Sequence, residues 1–158
     1  MSKKQADKIK HYINIGIEEG AEVYAARTQN EMHENAIYIQ PTIFTNVKNE
    51  QTIAQEEIFG PVVVVMEVND LNEALHIAND TKYGLAAAVW TDDLNEAYQI
   101  AKGIRAGLVH INSYGDDDNM APFGGIKESG IGKDKSMYAF DEYSIVKTTW
   151  MHFETLPS

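Results

Sequence analysis

The chain has 158 residues, 13 basic against 24 acidic, for a formal charge of −11, and it contains no cysteine. That length suits one domain with a real core, and 44% hydrophobic residues exclude an intrinsically disordered chain. The acidic balance argues against nucleic acid and anionic membrane as partners, and no apolar run approaches the roughly 20 residues of a membrane span.

Without cysteine there is no disulfide framework and no thiolate metal site. The basic start Met1-Ser2-Lys3-Lys4 is not followed by an apolar stretch, so no signal peptide is expected and a cytoplasmic chain is. Ser2-Lys3-Lys4-Gln5 reads as a capping box, with Ser2 as N-cap and Gln5 three residues on. Ile9, Tyr12, Ile13, Gly16 and Ile17 then recur at helical spacing, and Gly20 can close the helix in the left-handed conformation. A short strand is predicted over 22–26, a polar loop or hairpin tip over 27–35, and strand over 37–40. Pro41 interrupts it, 42–47 continues extended, and 51–54 reads as another short strand.

Asp70-Leu71-Asn72-Glu73-Ala74 returns as Asp93-Leu94-Asn95-Glu96-Ala97. Strand 62–68 precedes a helix with Leu71, Ala74, Leu75 and Ala78 on one face. Strand 86–90 precedes a helix with Leu94, Ala97, Tyr98 and Ala101 on one face, and strand 108–112 closes the series. Asp70, and Thr91 or Asp92, are the expected N-caps. This alternation reads as two βαβ crossovers: an α/β fold with a parallel twisted sheet and flanking helices. A long loop follows over 113–132, then a short helix near 135–143, then a strand over 144–153 with no partner within the chain.

Four groupings bear on chemistry, and two of them fail. The glycine-rich loop fails both phosphate patterns: Gly132-Lys133 is followed by Asp134, and Lys135 stands where a dinucleotide fingerprint needs its third glycine. The five histidines lack metal-ligand spacing, and no serine sits in a nucleophile elbow. Asp116-Asp117-Asp118 reads either as a solvated loop or as a pocket rim that attracts cations. Glu56-Glu57-Ile58-Phe59-Gly60-Pro61, ahead of a β-branched strand, also has two readings. It is an ordinary exposed pair of carboxylates, or a site where one carboxylate holds two vicinal ribose hydroxyls and Phe59 packs on a flat ring.

In order along the chain, Gln40-Pro41-Thr42-Ile43-Phe44, the Glu56 to Val62 run, Asn79 to Ala87 and Pro122-Phe123-Gly124-Gly125-Ile126-Lys127-Glu128-Ser129-Gly130 resemble motifs of the aldehyde dehydrogenase superfamily, in the C-terminal part of its catalytic domain. The helix from Gln5 to Gly20 resembles the one that follows the family's catalytic cysteine. The resemblance implies NAD(P)-dependent oxidation of an aldehyde to a carboxylic acid. In the family the dinucleotide-binding domain, the nucleophilic cysteine and the general base lie N-terminal to the matched region. The chain then reads as a fragment, inactive alone, with no catalytic residue and no metal ligand of its own. By position, Glu57 resembles the residue that holds the nicotinamide ribose, and Phe59 its ring-packing neighbour. Gln5 and Lys8 resemble contacts on the adenosine side, and Phe123 an aromatic of the aldehyde tunnel. Asp116 and Asp117 fall at the tunnel mouth, where many members are apolar, so amino-aldehydes are the expected substrates. Residues 1–143 are then part of the catalytic domain. Residues 144–158 are an oligomerisation strand and tail, which implies a homo-oligomer. A non-enzymatic interaction module derived from a dehydrogenase is the second reading.

Overall fold

The computed structural model describes residues 2–25, 37–115 and 118–154, in two compact units of residues 1–82 and 83–158. The fold is α/β. In the first unit, helix α1 (Lys3–Glu18) begins where expected, with the Ser2 hydroxyl accepting the Gln5 amide at 3.2 Å. It ends at Gly20, whose φ of +91° only glycine adopts at little cost. The chain turns into β1 (Glu22–Ala25), which pairs antiparallel with β2 (Thr42–Thr45); β2 pairs parallel with β3 (Val62–Val64). Thr42 and Phe44 are buried while Ile43 points outward, the period-two alternation of a strand covered on one face. The core gathers Ala6 and Ile9 of α1, Phe44 of β2, and Ile39, Ile53 and Ile58. Ile9 and Phe44 are fully buried.

Residues 51–54, expected as strand, instead enter a one-turn helix, α2 (Thr52–Gln55). The reason is long-range. The Glu19 carboxylate, at the end of α1, accepts from the Thr52 amide (2.9 Å) and the Thr52 hydroxyl (2.6 Å), and so caps α2 from 33 residues away. Residues 37–40 are not part of a ladder, and the expected loop over 27–35 lies outside the described residues.

Helix α3 (Leu71–Asn79) also belongs to this unit, with Asp70 accepting the Glu73 amide at 2.9 Å. The second unit holds β4 (Ala86–Val89), α4 (Leu94–Gly103) and β5 (Leu108–Ile111), with β4 and β5 parallel: one right-sized βαβ crossover. The N-cap of α4 is Asp93, neither Thr91 nor Asp92. Asp93 accepts from the amides of Asn95 and Glu96, while the Thr91 hydroxyl accepts the Asp93 amide and donates to Glu96. The repeat thus caps both helices with the same aspartate. Of the predicted α4 stripe only Ala97 is buried; Leu94 and Tyr98 are 82% and 67% exposed, because a two-stranded sheet is too narrow to cover a full apolar stripe.

The long loop is not patternless. Phe123 and Asp134 form an antiparallel bridge, and one 3-10 turn spans Lys127–Ser129. The expected helix near 135–143 is the single turn α5 (Ala139–Glu142). Residues 144–154 form no strand in the single chain, since a ladder needs a neighbour and none of the described strands pairs with them. Their apolar side chains, among them Ile145, Val146 and Trp150, stand almost fully in solvent.

Candidate functional site

The run from Glu56 to Gly60 leaves α2, crosses the face of α1 and enters β3. Ile58 alone points inward, at 8% exposure, and pins the run to the core. Its neighbours Glu57 and Phe59 therefore face outward, on an open cleft of about 530 Å3 lined also by Ile53, Val62 and Val64. Phe59 is 72% exposed and holds a left-handed backbone, φ +62°, which a bulky residue adopts only when its surroundings compel it. Exposure of an aromatic together with an unfavourable backbone at the same residue marks a position shaped for contact rather than for stability.

The structure gives the two adjacent carboxylates different surroundings. Glu56 accepts a 2.7 Å hydrogen bond from the Tyr12 hydroxyl and is committed to fastening the run onto α1. The Glu57 side chain is exposed and has no hydrogen-bond or ion-pair partner among the described residues. Its two oxygens are free to accept from a ligand.

Gln5 and Lys8 stand beside this run, and both reach its backbone. Gln5 Nε2 donates to the Phe59 carbonyl (2.9 Å), and Lys8 Nζ donates to the Glu57 carbonyl (3.4 Å) while lying 5.5 Å from the Tyr12 ring centroid. The capping box is accordingly one-sided: Ser2 serves the Gln5 amide, but the Gln5 side chain is spent 54 residues away. Tyr12 is the residue that sequence reasoning missed here. Its signal was spacing, since positions 5, 8 and 12 share one helical face.

In the second unit Phe123 is half-buried and lines a cleft of about 360 Å3 together with Leu85, Lys133 and Tyr143, among others. Its two backbone bonds to Asp134 hold it (2.8 and 2.7 Å), and Lys135 Nζ lies 5.6 Å from its ring centroid. Lys133, also missed, donates to the carbonyls of Gly124 and Gly125 (2.8 and 3.1 Å), which fixes the glycine-rich loop by its oxygens. The Gly84 amide donates to Ser129 Oγ at 2.9 Å, and the Gly84 carbonyl accepts from Gly107 and Ile126. A Cβ on Gly107 would run into the Gly124 carbonyl. Asp116 and Asp117 lie outside the described residues. Asp118 accepts the Met120 amide at 2.8 Å. No group of three or more His, Asp or Glu able to hold a metal occurs among the described residues.

Comparison with known proteins agrees with these motifs. The model of the aldehyde dehydrogenase family matches residues 1–149. A protein of Staphylococcus aureus (strain USA300), named as a candidate aldehyde dehydrogenase, is 48% identical over 155 residues, 98% of this chain. The solved indole-3-acetaldehyde dehydrogenase of P. syringae, in complex with NAD+ and IAA, superposes with a TM-score of 0.87 at 47% identity over 96% of this chain and 31% of that one. Betaine aldehyde dehydrogenase of Staphylococcus aureus, in complex with NAD+, gives 0.85 at 35% identity, covering 90% of this chain and 29% of that one. The chain spans about a third of the curated relatives it matches, 32% of the S. aureus protein. By sequence, by fold and by the order of its motifs, the chain belongs to the aldehyde dehydrogenase family.

Proposed function

We propose that these 158 residues are the cofactor-contacting C-terminal third of an aldehyde dehydrogenase that uses NAD. The observation that carries this reading is the free Glu57 carboxylate beside the outward Phe59 ring on one cleft. One carboxylate presents two acceptors at the spacing of vicinal ribose hydroxyls, and an exposed phenyl face suits a nicotinamide ring. The residues fit the dinucleotide on that count. The choice of NAD is supported by the NAD+ held in solved relatives. Bound there, the dinucleotide supplies the hydride acceptor for oxidation. The residues of this chain bind and orient. The nucleophile that attacks the aldehyde, and the base that activates water, are assigned to polypeptide outside these residues, which contain no cysteine.

On the same reading Phe123 lines the path of the aldehyde, and Asp116 and Asp117 favour an amino-aldehyde by charge. Residues 144–154, which expose five large apolar side chains and pair with none of the described strands, join the sheet of a second subunit in a homo-oligomer.

The chain alone is expected to form no NADH from NAD and any aldehyde. Exchanged for the corresponding third of the P. syringae relative, it is expected to sustain turnover. Glu57→Gln in that enzyme should raise the KM for NAD about 10- to 100-fold, the value of hydrogen bonds to a charged acceptor, with little change in the KM for aldehyde. Turnover by the isolated chain would defeat the assignment of the nucleophile and base to polypeptide outside these residues, and an unchanged KM for NAD in the variant would defeat the cofactor reading. The same assay compares amino-aldehydes with aliphatic aldehydes of matched length, and equal kcat/KM would dismiss the substrate preference alone.

A further inference from the structure

Gln5 and Lys8 resemble cofactor contacts, yet their polar ends are occupied by the protein itself. Three side chains on one face of α1, at positions 5, 8 and 12, meet successive positions of the Glu56 to Phe59 run: Tyr12 takes the Glu56 carboxylate, Lys8 the Glu57 carbonyl and Gln5 the Phe59 carbonyl. Gly60 completes the seam, since a Cβ there would lie 2.7 Å from Ile9 Cδ1, so the run is drawn against α1 as closely as backbone allows. The seam solves a physical problem. Phe59 is 72% exposed and in the left-handed region, so neither burial nor intrinsic preference holds it in place. A tie on its own carbonyl does.

We propose that Gln5 and Lys8 are positioning residues, which act through the backbone to present the Glu57 carboxylate and the Phe59 ring to the ligand. The function of the tie rests on the cofactor reading above; its existence does not. Gln5→Glu is the discriminating variant. It keeps size and, at the third position of a helix, helix stability, but turns the donor into an acceptor that repels the Phe59 carbonyl.

In the 158-residue chain, deuterium exchange at the amides of Glu56 and Val62, which flank the run and donate to the Thr52 and Gly60 carbonyls, should become about five-fold faster in Gln5→Glu and in Lys8→Met, the worth of one ordinary hydrogen bond. The amides of β2 should be unaffected, and Lys8→Arg should restore the slow exchange by keeping the donor. Unchanged exchange at Glu56 and Val62, or an equal rise throughout α1 and β2, would overturn the proposal. In the exchanged enzyme described above, Gln5→Glu should raise the KM for NAD about five-fold, with kcat for bound substrate changed less. Faster exchange with an unchanged KM also overturns it, provided Glu57→Gln does raise that KM. If Glu57→Gln leaves KM unchanged as well, the cofactor reading is what has failed, and the exchange result alone decides whether the tie exists.

Discussion

At Gly60 the requirement is absolute and local. The side chain it would need to displace is Ile9, fully buried and packed on all sides, so the clash cannot be relieved by a swing into solvent. Gly60→Ala is therefore expected to destabilise the first unit by about 1–3 kcal/mol, the usual cost of overpacking a filled core. Urea unfolding followed by circular dichroism measures it, and an unchanged midpoint would show that the seam between α1 and the Glu56 to Gly60 run is loose. A similar separation of roles operates at the adjacent carboxylates. Glu56 and Glu57 are the same residue type in the same exposed loop, and only the Tyr12 hydroxyl, 44 residues away, distinguishes them.

Among the elements, those fixed by local chemistry were legible in the sequence, and those fixed at a distance were not. Helix α1 has its cap, its apolar spacing and its terminal glycine within 20 residues, and it stands where the pattern put it. The repeated Asp-Leu-Asn-Glu-Ala announced α3 and α4, although Thr91 and Asp92 drew attention from the true cap, Asp93. The α2 turn was read as strand because its cap, Glu19, is supplied by another helix. Glu19→Ala is expected to cost about 1 kcal/mol, as for the loss of an ordinary N-cap, and to release α2 selectively. Chemical denaturation together with amide exchange over 52–55 tests this; full retention of both would mean that burial of Ile53 and the Gln55 bonds to the Asn49 and Asp80 carbonyls hold α2 without the Glu19 carboxylate. For the site, motif order pointed to Glu57, Phe59 and Phe123. Helical spacing puts Gln5, Lys8 and Tyr12 on one face, but which part of the Glu56 to Phe59 run each meets, and the role of Lys133, depend on contacts at a distance.

Across the whole chain, burial is uneven. The first unit has a contiguous core built on Ile9 and Phe44, whereas Ala97 is the one buried hydrophobic among the described residues of the second. Residues 144–154 add Ile145, Val146, Trp150, Met151 and Phe153, all more than 70% exposed. Exposed apolar side chains together with open backbone donors favour pairing with another chain. Light scattering on the chain should report association at micromolar concentration, and Thr148→Pro, which removes a backbone donor, should shift the population to monomer. A monomer before the substitution, or an oligomer indifferent to it, would refute assembly through this segment.

The closeness of Gly107 to Gly124 has a consequence for how such chains are told apart. A methyl group on Gly107 would meet the Gly124 carbonyl, and one on Gly124 would lie 2.5 Å from the Gly132 carbonyl, so three stretches of backbone share a space with no room for side chains. The glycines of Pro122-Phe123-Gly124-Gly125 are thus required by packing alone. The most recognisable stretch of the second unit attests to kinship because its backbone is packed too closely to vary, while the residues around it are left free to change.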